Sequence, residues 1–333
     1  MNWTSNSSST DAPSSGGDRP PGEVRPADDS RTLRRGAMEK APNFMVVGAA
    51  KAGTTSLYHY LQQHPDVFMP VEKEPHHFSQ VRPDPAKRAF YKHIPDRATY
   101  LALFSGVRAE RAIGEASTSY LWDEETPRRI REFNPATRII IMLREPVQRA
   151  YSHYLNDVRE GYEKRPFLTA IEEDLRAERK GWGVSSLYVD LGRYCEQVRR
   201  YLEFFPGQVL VLFFEEFIRD PRAALRQTFS FLGVDPEFAE QVELEIHNPY
   251  AEPTSLGRVL LGSGMARTAA RILVPRGVRA AARDRMLKVK PKPSMDTRAG
   301  ELLSRVYAGE AECLAELLGR PVPWSTTAPA APS

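Results

Sequence analysis

The sequence predicts an α/β fold in a single domain, a P-loop-like parallel sheet flanked by helices, and three observations predict it. Two continuous apolar runs, Phe44-Met45-Val46-Val47 and Ile139-Ile140-Ile141-Met142-Leu143, lack polar alternation and read as strands buried on both faces, as in parallel sheets. The first run passes into Gly48 and a short glycine-containing loop, then into a helix. Further along, segments of helical periodicity alternate with strand-like runs, the pattern of strands joined by crossover helices.

Taken in order, residues 1–42 hold seven Ser, five Pro and four Gly, with six basic and six acidic side chains and few large apolar ones. Such a segment cannot offset its ordering entropy, so a disordered N-terminal tail is expected. Order is expected from Asn43: a strand over 44–47, then a helix over Ser56 to Leu61 that ends at His64-Pro65. A helix is predicted over 126–133. The Arg138 to Leu143 strand stops at Arg144-Glu145-Pro146, and a helix follows over 148–160. Helices are then predicted over 167–179 and 188–204, a third buried strand over 209–214 after the Phe205-Pro206-Gly207 turn, and a helix over 221–232. A final amphipathic helix over 296–318 carries Leu302, Leu303, Val306, Tyr307, Leu314, Leu317 and Leu318 on one face. The domain is expected to span 43–325, with 326–333 a disordered C-terminal tail. No internal repeat is present.

The chain of 333 residues is 41% hydrophobic and 10% aromatic, which supplies a substantial core and excludes fully disordered, collagenous and disulfide-scaffold classes. Lys and Arg number 46 against 43 Asp and Glu, a net charge of +3, so no nucleic-acid partner is expected. The charge is uneven: residues 258–292 contain ten basic residues and one acidic residue, Asp284. That stretch leaves room for a peripheral membrane contact. Cys195 and Cys313 lie far apart without a CxxC or Cys/His cluster, so neither a disulfide framework nor a zinc site is expected, and a reducing, cytoplasmic setting fits. The N-terminus lacks the basic and apolar regions of a secretory signal, and no run approaches the ~20 apolar residues of a transmembrane segment. The sequons at Asn2 and Asn6 read as chance.

Gly48-Ala49-Ala50-Lys51-Ala52-Gly53-Thr54-Thr55 lies between a buried strand and a helix, where backbone N–H groups and the positive helix end cradle a phosphate. A nucleoside triphosphatase loop needs G-x-x-x-x-G-K-[ST]. Here Thr54 stands at the Lys position, and Lys51 lies inside the loop. The second strand ends in Arg144 where a triphosphatase has a metal-holding Asp. A cation in place of that anion points to a nucleotide with an additional phosphate, bound without a dedicated metal site. Ser152, eight residues on, offers a hydroxyl to the same phosphate.

These residues resemble the 3′-phosphoadenosine-5′-phosphosulfate (PAPS)-dependent sulfotransferase family, nearest its bacterial members and the heparan sulfate branch. Residues 44–57 resemble the 5′-phosphosulfate loop and 141–154 the 3′-phosphate segment. His64-Pro65-Asp66-Val67, Lys73-Glu74-Pro75-His76-His77-Phe78 and the ending Leu318-Gly319-Arg320 with Trp324 also fit, so the resemblance spans nearly all of 43–324. It implies that Lys51, Ala52, Gly53, Thr54, Thr55 and Ser56 hold the 5′-phosphosulfate, that Arg144 and Ser152 hold the 3′-phosphate, and that Glu74 is the general base. His76 is the orienting or alternative base. A basic loop before the last helix closes over the nucleotide in the family, and Lys288 and Lys290 are its candidates here. Tyr188 is the candidate adenine platform. The chain departs from the heparan branch at Glu115-Ala116-Ser117-Thr118, where that branch has Glu-Lys-Thr-Pro. The second active-site lysine is absent, which leaves Lys51 alone or assisted by Ser117.

The expected chemistry is an in-line transfer in which Lys51 meets the charge developing on the leaving phosphate and Glu74 takes the acceptor proton. The expected acceptor is a small molecule or glycan: a hydroxyl or amine of a carbohydrate, lipid or secondary metabolite. Two other classes remain open at the level of residues. A P-loop small-molecule kinase would bind Mg-ATP, which the missing Walker-A Lys and Walker-B Asp oppose. A protein that binds anionic surfaces through 258–292 would be indifferent to Lys51→Ala.

Overall fold

The computed structural model describes residues 40–80, 93–182, 186–245, 251–253, 287–289 and 291–324. Residues 1–39 of the expected N-terminal tail, the expected C-terminal tail, the basic stretch from Arg258 to Arg285 and Lys290 lie outside the described residues; Pro42, assigned to the tail, is buried instead.

The fully buried strand β1 (Phe44–Gly48) runs into the phosphate loop and then into α1 (Thr54–Leu61). A short strand β2 (Val67–Phe68), helix α2 (Arg97–Ala102), strand β3 (Ala112–Ala116) and helix α3 (Thr126–Phe133) follow. β4 (Arg138–Leu143) leads into α4 (Pro146–Glu160), then α5 (Phe167–Arg176), α6 (Tyr194–Phe204), β5 (Val209–Phe213), α7 (Phe214–Arg219) and α8 (Pro221–Leu232). β6 (Ala251–Pro253) and β7 (Leu287–Val289) pair antiparallel, and α9 (Thr297–Val306) and α10 (Glu310–Leu318) end the described chain.

Five parallel strands form one sheet in the order β2-β3-β1-β4-β5. Met45 is in register with Glu115 on one side and Ile139 on the other, and Ile139 with Val209. β1 is therefore central, and the loop after it opens at the carboxyl edge where the chain switches from one half of the sheet to the other, the usual ligand position in such sheets. The unbroken apolar runs are explained by this placement: β1 is buried throughout, and β4 is buried everywhere except Arg138.

The expected strands at 44–47 and 138–143 and helices at 126–133 and 221–232 form within a residue of their predicted bounds. Four expectations are corrected. The helix expected from Gln148 starts at Pro146, because the Glu145 side chain caps it by accepting from the backbone N–H of Val147 at 3.0 Å and Gln148 at 2.7 Å. The helix expected from Tyr188 starts at Tyr194, preceded by a separate 3₁₀ turn at Asp190–Gly192. The helix expected over 296–318 is two helices, broken at Gly309, whose φ of 85° no helix accommodates. The two cysteines are bonded: Cys195 on α6 and Cys313 on α10 form a disulfide with Cα atoms 6.0 Å apart despite a separation of 118 residues. Sequence distance hid this pairing, since the strand and helices between them return α10 to the flank of α6.

No helix among the described residues is long and apolar enough to cross a membrane.

Candidate functional site

At the carboxyl edge of the sheet, a cavity of about 550 Å³ is walled by the phosphate loop, the start of α1, Glu74 on the loop after β2, Thr118 after β3, the inner face of α4, Phe214 and Lys292. The phosphate loop has no side-chain cap on α1, whose N-cap is Gly53. The first N–H groups of the helix are thereby left to a ligand. Gly53 is required here: its φ is 94°, and a Cβ would lie 2.8 Å from the Phe214 ring and 3.2 Å from the Met142 sulfur.

Thr54, Thr55 and Ser56 line the cavity next to Lys51. The Lys51 ammonium donates to Asn156 Oδ1 at 3.0 Å, which aims it across the loop towards α4. Burial pulls its pKa down to about 8; Arg159 pushes the same way, and Asp157 and Glu74 oppose. At the other end Arg144 leaves β4, donates to the Lys51 carbonyl at 3.2 Å and lies 4.5 Å over the Phe214 ring. Ser152 faces it from α4, and Lys292 closes that end, donating to Gln148 Oε1 at 3.1 Å with its ammonium 4.6 Å from the Tyr151 ring centroid. Cations from the phosphate loop, from the end of β4 and from the segment before α9 thus line one cavity.

Glu74 occupies the third corner. Its backbone N–H donates to Ala116 O at 3.0 Å, which seats the loop carrying it against the end of β3. Its Oε1 accepts from Lys73 at 2.9 Å and from Thr118 Oγ1 at 3.5 Å, and its Oε2 lies 3.5 Å from His76 Nε2. Burial raises the carboxyl pKa, but the Lys73 ammonium and His76 outweigh it and hold the group well below the usual carboxylate range. His76 is itself fixed: Nδ1 is 2.7 Å from Ser119 Oγ, which donates to Ser79 Oγ at 2.9 Å. Lys51, Glu74 and His76 all adopt left-handed backbone, with φ of 68°, 58° and 53°. Non-glycine residues there cost about 1–3 kcal/mol each, and such positions gather where a site must hold a particular geometry.

A family model described as "Sulfotransferase family" matches residues 42–239, more than half of the chain. The chain belongs to this family. Among solved structures, a sulfotransferase from Alicyclobacillus acidocaldarius is 32% identical with a TM-score of 0.66, covering 85% of this chain and 97% of that one. Two mammalian proteins are similar over shorter spans. Heparan sulfate glucosamine 3-O-sulfotransferase 3A1 of Mus musculus is 29% identical over 215 residues, 64% of this chain and 50% of the relative. Bifunctional heparan sulfate N-deacetylase/N-sulfotransferase 3 of Homo sapiens is 27% identical over 237 residues, 68% and 27% respectively. The chain spans half or less of the length of these curated relatives.

In this sulfotransferase-family chain, Lys51, Gly53, Thr54, Thr55, Ser56, Glu74, Arg144 and Ser152 line the one cavity together. Ala52 is fully buried and does not line it, and His76 stands behind Glu74 and Trp182, which do. Tyr188 is corrected as an adenine platform: it is fully buried, its ring packs on His153 with centroids 5.1 Å apart, and its hydroxyl donates to Asp157 at 2.9 Å. The aromatic ring at the Arg144 end of the cavity is Phe214. Ser117 is corrected as an assistant to Lys51, since its hydroxyl donates to the buried Glu115 at 2.8 Å and accepts from the His76 N–H at 3.1 Å. Lys288 falls in β7 opposite Glu252, and Lys292, four residues on, lines the cavity. Asn156 and Arg159, which also line it, were legible in principle: with Ser152 they recur at helical spacing on one face of α4.

Proposed function

We propose that the protein transfers the sulfuryl group of PAPS to a hydroxyl or amine of a carbohydrate, lipid or secondary metabolite. The observation that carries this reading is the single cavity in which a phosphate loop, a second cationic end at Arg144, Ser152 and Lys292, and the Glu74 carboxylate converge. PAPS supplies a sulfuryl group whose bond to the 5′-phosphate breaks, the electron pair staying on that phosphate, as the acceptor atom bonds to sulfur. Thr54, Thr55, Ser56 and the N–H groups of α1 bind the 5′ end. Arg144, Ser152 and Lys292 bind the 3′-phosphate, with Phe214 against the nucleoside. Lys51 neutralises the charge gathering on the leaving oxygen, and Glu74 takes the acceptor proton. The two heparan sulfate relatives support a glycan among the acceptors.

Calorimetric titration with 3′,5′-ADP and with ATP, each with and without Mg²⁺, tests the nucleotide. Binding of 3′,5′-ADP independent of Mg²⁺ is expected, and tight Mg-ATP binding with no 3′,5′-ADP binding would overturn the reading. Incubation of labelled PAPS with a panel of glycosaminoglycan oligosaccharides, phenols and lipid alcohols, followed by isolation of the labelled product, identifies the acceptor.

A further inference from the structure

We infer that Lys73 is the positioning residue of the base, its ammonium bridging the Glu74 carboxylate and the Thr55 hydroxyl of the phosphate loop. This rests on the reading of Glu74 as the base. The geometry is a two-point contact: Lys73 Nζ donates to Glu74 Oε1 at 2.9 Å and to Thr55 Oγ1 at 3.3 Å. Thr55 lies in the first turn of α1 and lines the cavity beside Glu74. A base on a loop of left-handed residues is thus tied to the element that holds the transferring group. Fixing donor and base in one frame is worth more than the bond itself, because small misplacements of reacting groups cost large factors in rate.

The Lys73 side chain is one-fifth exposed, so its ammonium stays partly hydrated while it reaches both partners. It also answers the absence of a lysine after Glu115, where Ala116 is fully buried and Ser117 is committed to Glu115. Lys73 brings a second ammonium beside the base, near enough to Lys51 to disfavour its charge. When Glu74 takes the acceptor proton and becomes neutral, its ion pair with Lys73 is lost. The ammonium then keeps the Thr55 contact and leaves a positive charge beside the phosphate loop at the moment negative charge gathers there.

The groups that face Glu74 are Lys73 and His76 from its own loop, Lys51 from the phosphate loop and the Thr118 hydroxyl from the segment after β3; Asp157 and Arg159 on α4 act on Lys51. Lys73 is the nearest cation to the carboxylate. Its removal lets burial dominate, so the carboxyl should protonate at higher pH, and the acid limb of kcat/KM should move up.

The test is ¹³C NMR of protein labelled at the glutamate carboxyl carbon, with 3′,5′-ADP bound and the Glu74 signal assigned by its loss in Glu74→Gln. In the wild type the signal should stay ionised below the ordinary glutamate value of about 4.3. In Lys73→Met it should titrate at least tenfold higher in proton affinity, about one pH unit or more. Lys73→Arg should restore most of the difference. An unchanged melting temperature and a 3′,5′-ADP affinity within about threefold of wild type, both expected of Lys73→Met, establish that the fold and the phosphate loop persist. An unchanged Glu74 titration in a folded Lys73→Met protein overturns the proposal. Glu74→Gln that retains sulfuryl transfer overturns the base reading instead, whatever the carbon titration shows.

Discussion

Lys51 and Lys292 stand at the two ends of the cavity, and both are pulled down to about 8, chiefly by burial, with Arg159 adding to the effect at Lys51 and Arg144 at Lys292. Each is charged below that value and loses its proton as pH rises through it. Affinity for 3′,5′-ADP should therefore be highest near about pH 6.5 and fall on the alkaline side of about pH 8, which calorimetry across that range would measure. Lys51→Arg and Lys292→Arg should each flatten the decline, because a guanidinium stays charged throughout. Lys51→Ala should lower the rate of transfer by about a hundredfold to a thousandfold, the usual effect of losing one donor to a developing oxyanion. Glu74→Gln should cost about a hundredfold to ten-thousandfold while 3′,5′-ADP still binds, which single-turnover kinetics with labelled PAPS would separate from a binding defect.

The strongest test of the phosphate loop as an element is Gly53→Ala. The new methyl group would meet Phe214 in a backbone conformation that disfavours any side chain, so nucleotide affinity and melting temperature should fall together. The disulfide ties α6 to α10, two helices from distant parts of the sequence. Reduction should lower stability by about 2–4 kcal/mol, read as a drop in melting temperature with dithiothreitol. Thiol titration of the denatured protein should find two thiols after reduction and none before; two thiols before reduction would show that the bond does not form. β1 and β4 were legible in the sequence because strands buried on both faces need uninterrupted apolar residues. β3 was not, since Ala112-Ile113-Gly114-Glu115-Ala116 holds a glycine and a glutamate. The glycine makes room for the Phe44 ring, and the glutamate is satisfied by the Tyr120 hydroxyl at 2.6 Å and Ser117 at 2.8 Å. The two main stretches of the site were legible for the same reason that they work: a phosphate loop must follow a buried strand, and Arg144 must end one. Lys73 and Phe214 were not singled out, because their roles depend on which loops the sheet brings to its carboxyl edge.

For the whole molecule, a net charge of +3 says little, because the cations that matter are placed on one edge of the sheet. The described residues belong to a unit that begins at Lys40. A chain lacking residues 1–39 should therefore melt at the temperature of the full chain and bind 3′,5′-ADP equally well; a drop in either would assign those residues to the domain. The three left-handed residues Lys51, Glu74 and His76 carry a further consequence for engineering. Glycine or asparagine at any of these positions would relax the backbone. A library of variants screened only for heat resistance should accordingly accumulate such replacements and lose turnover as it gains melting temperature. Thermostabilising this protein without that trade-off requires holding positions 51, 74 and 76 constant and drawing improvements from surfaces away from the carboxyl edge of the sheet.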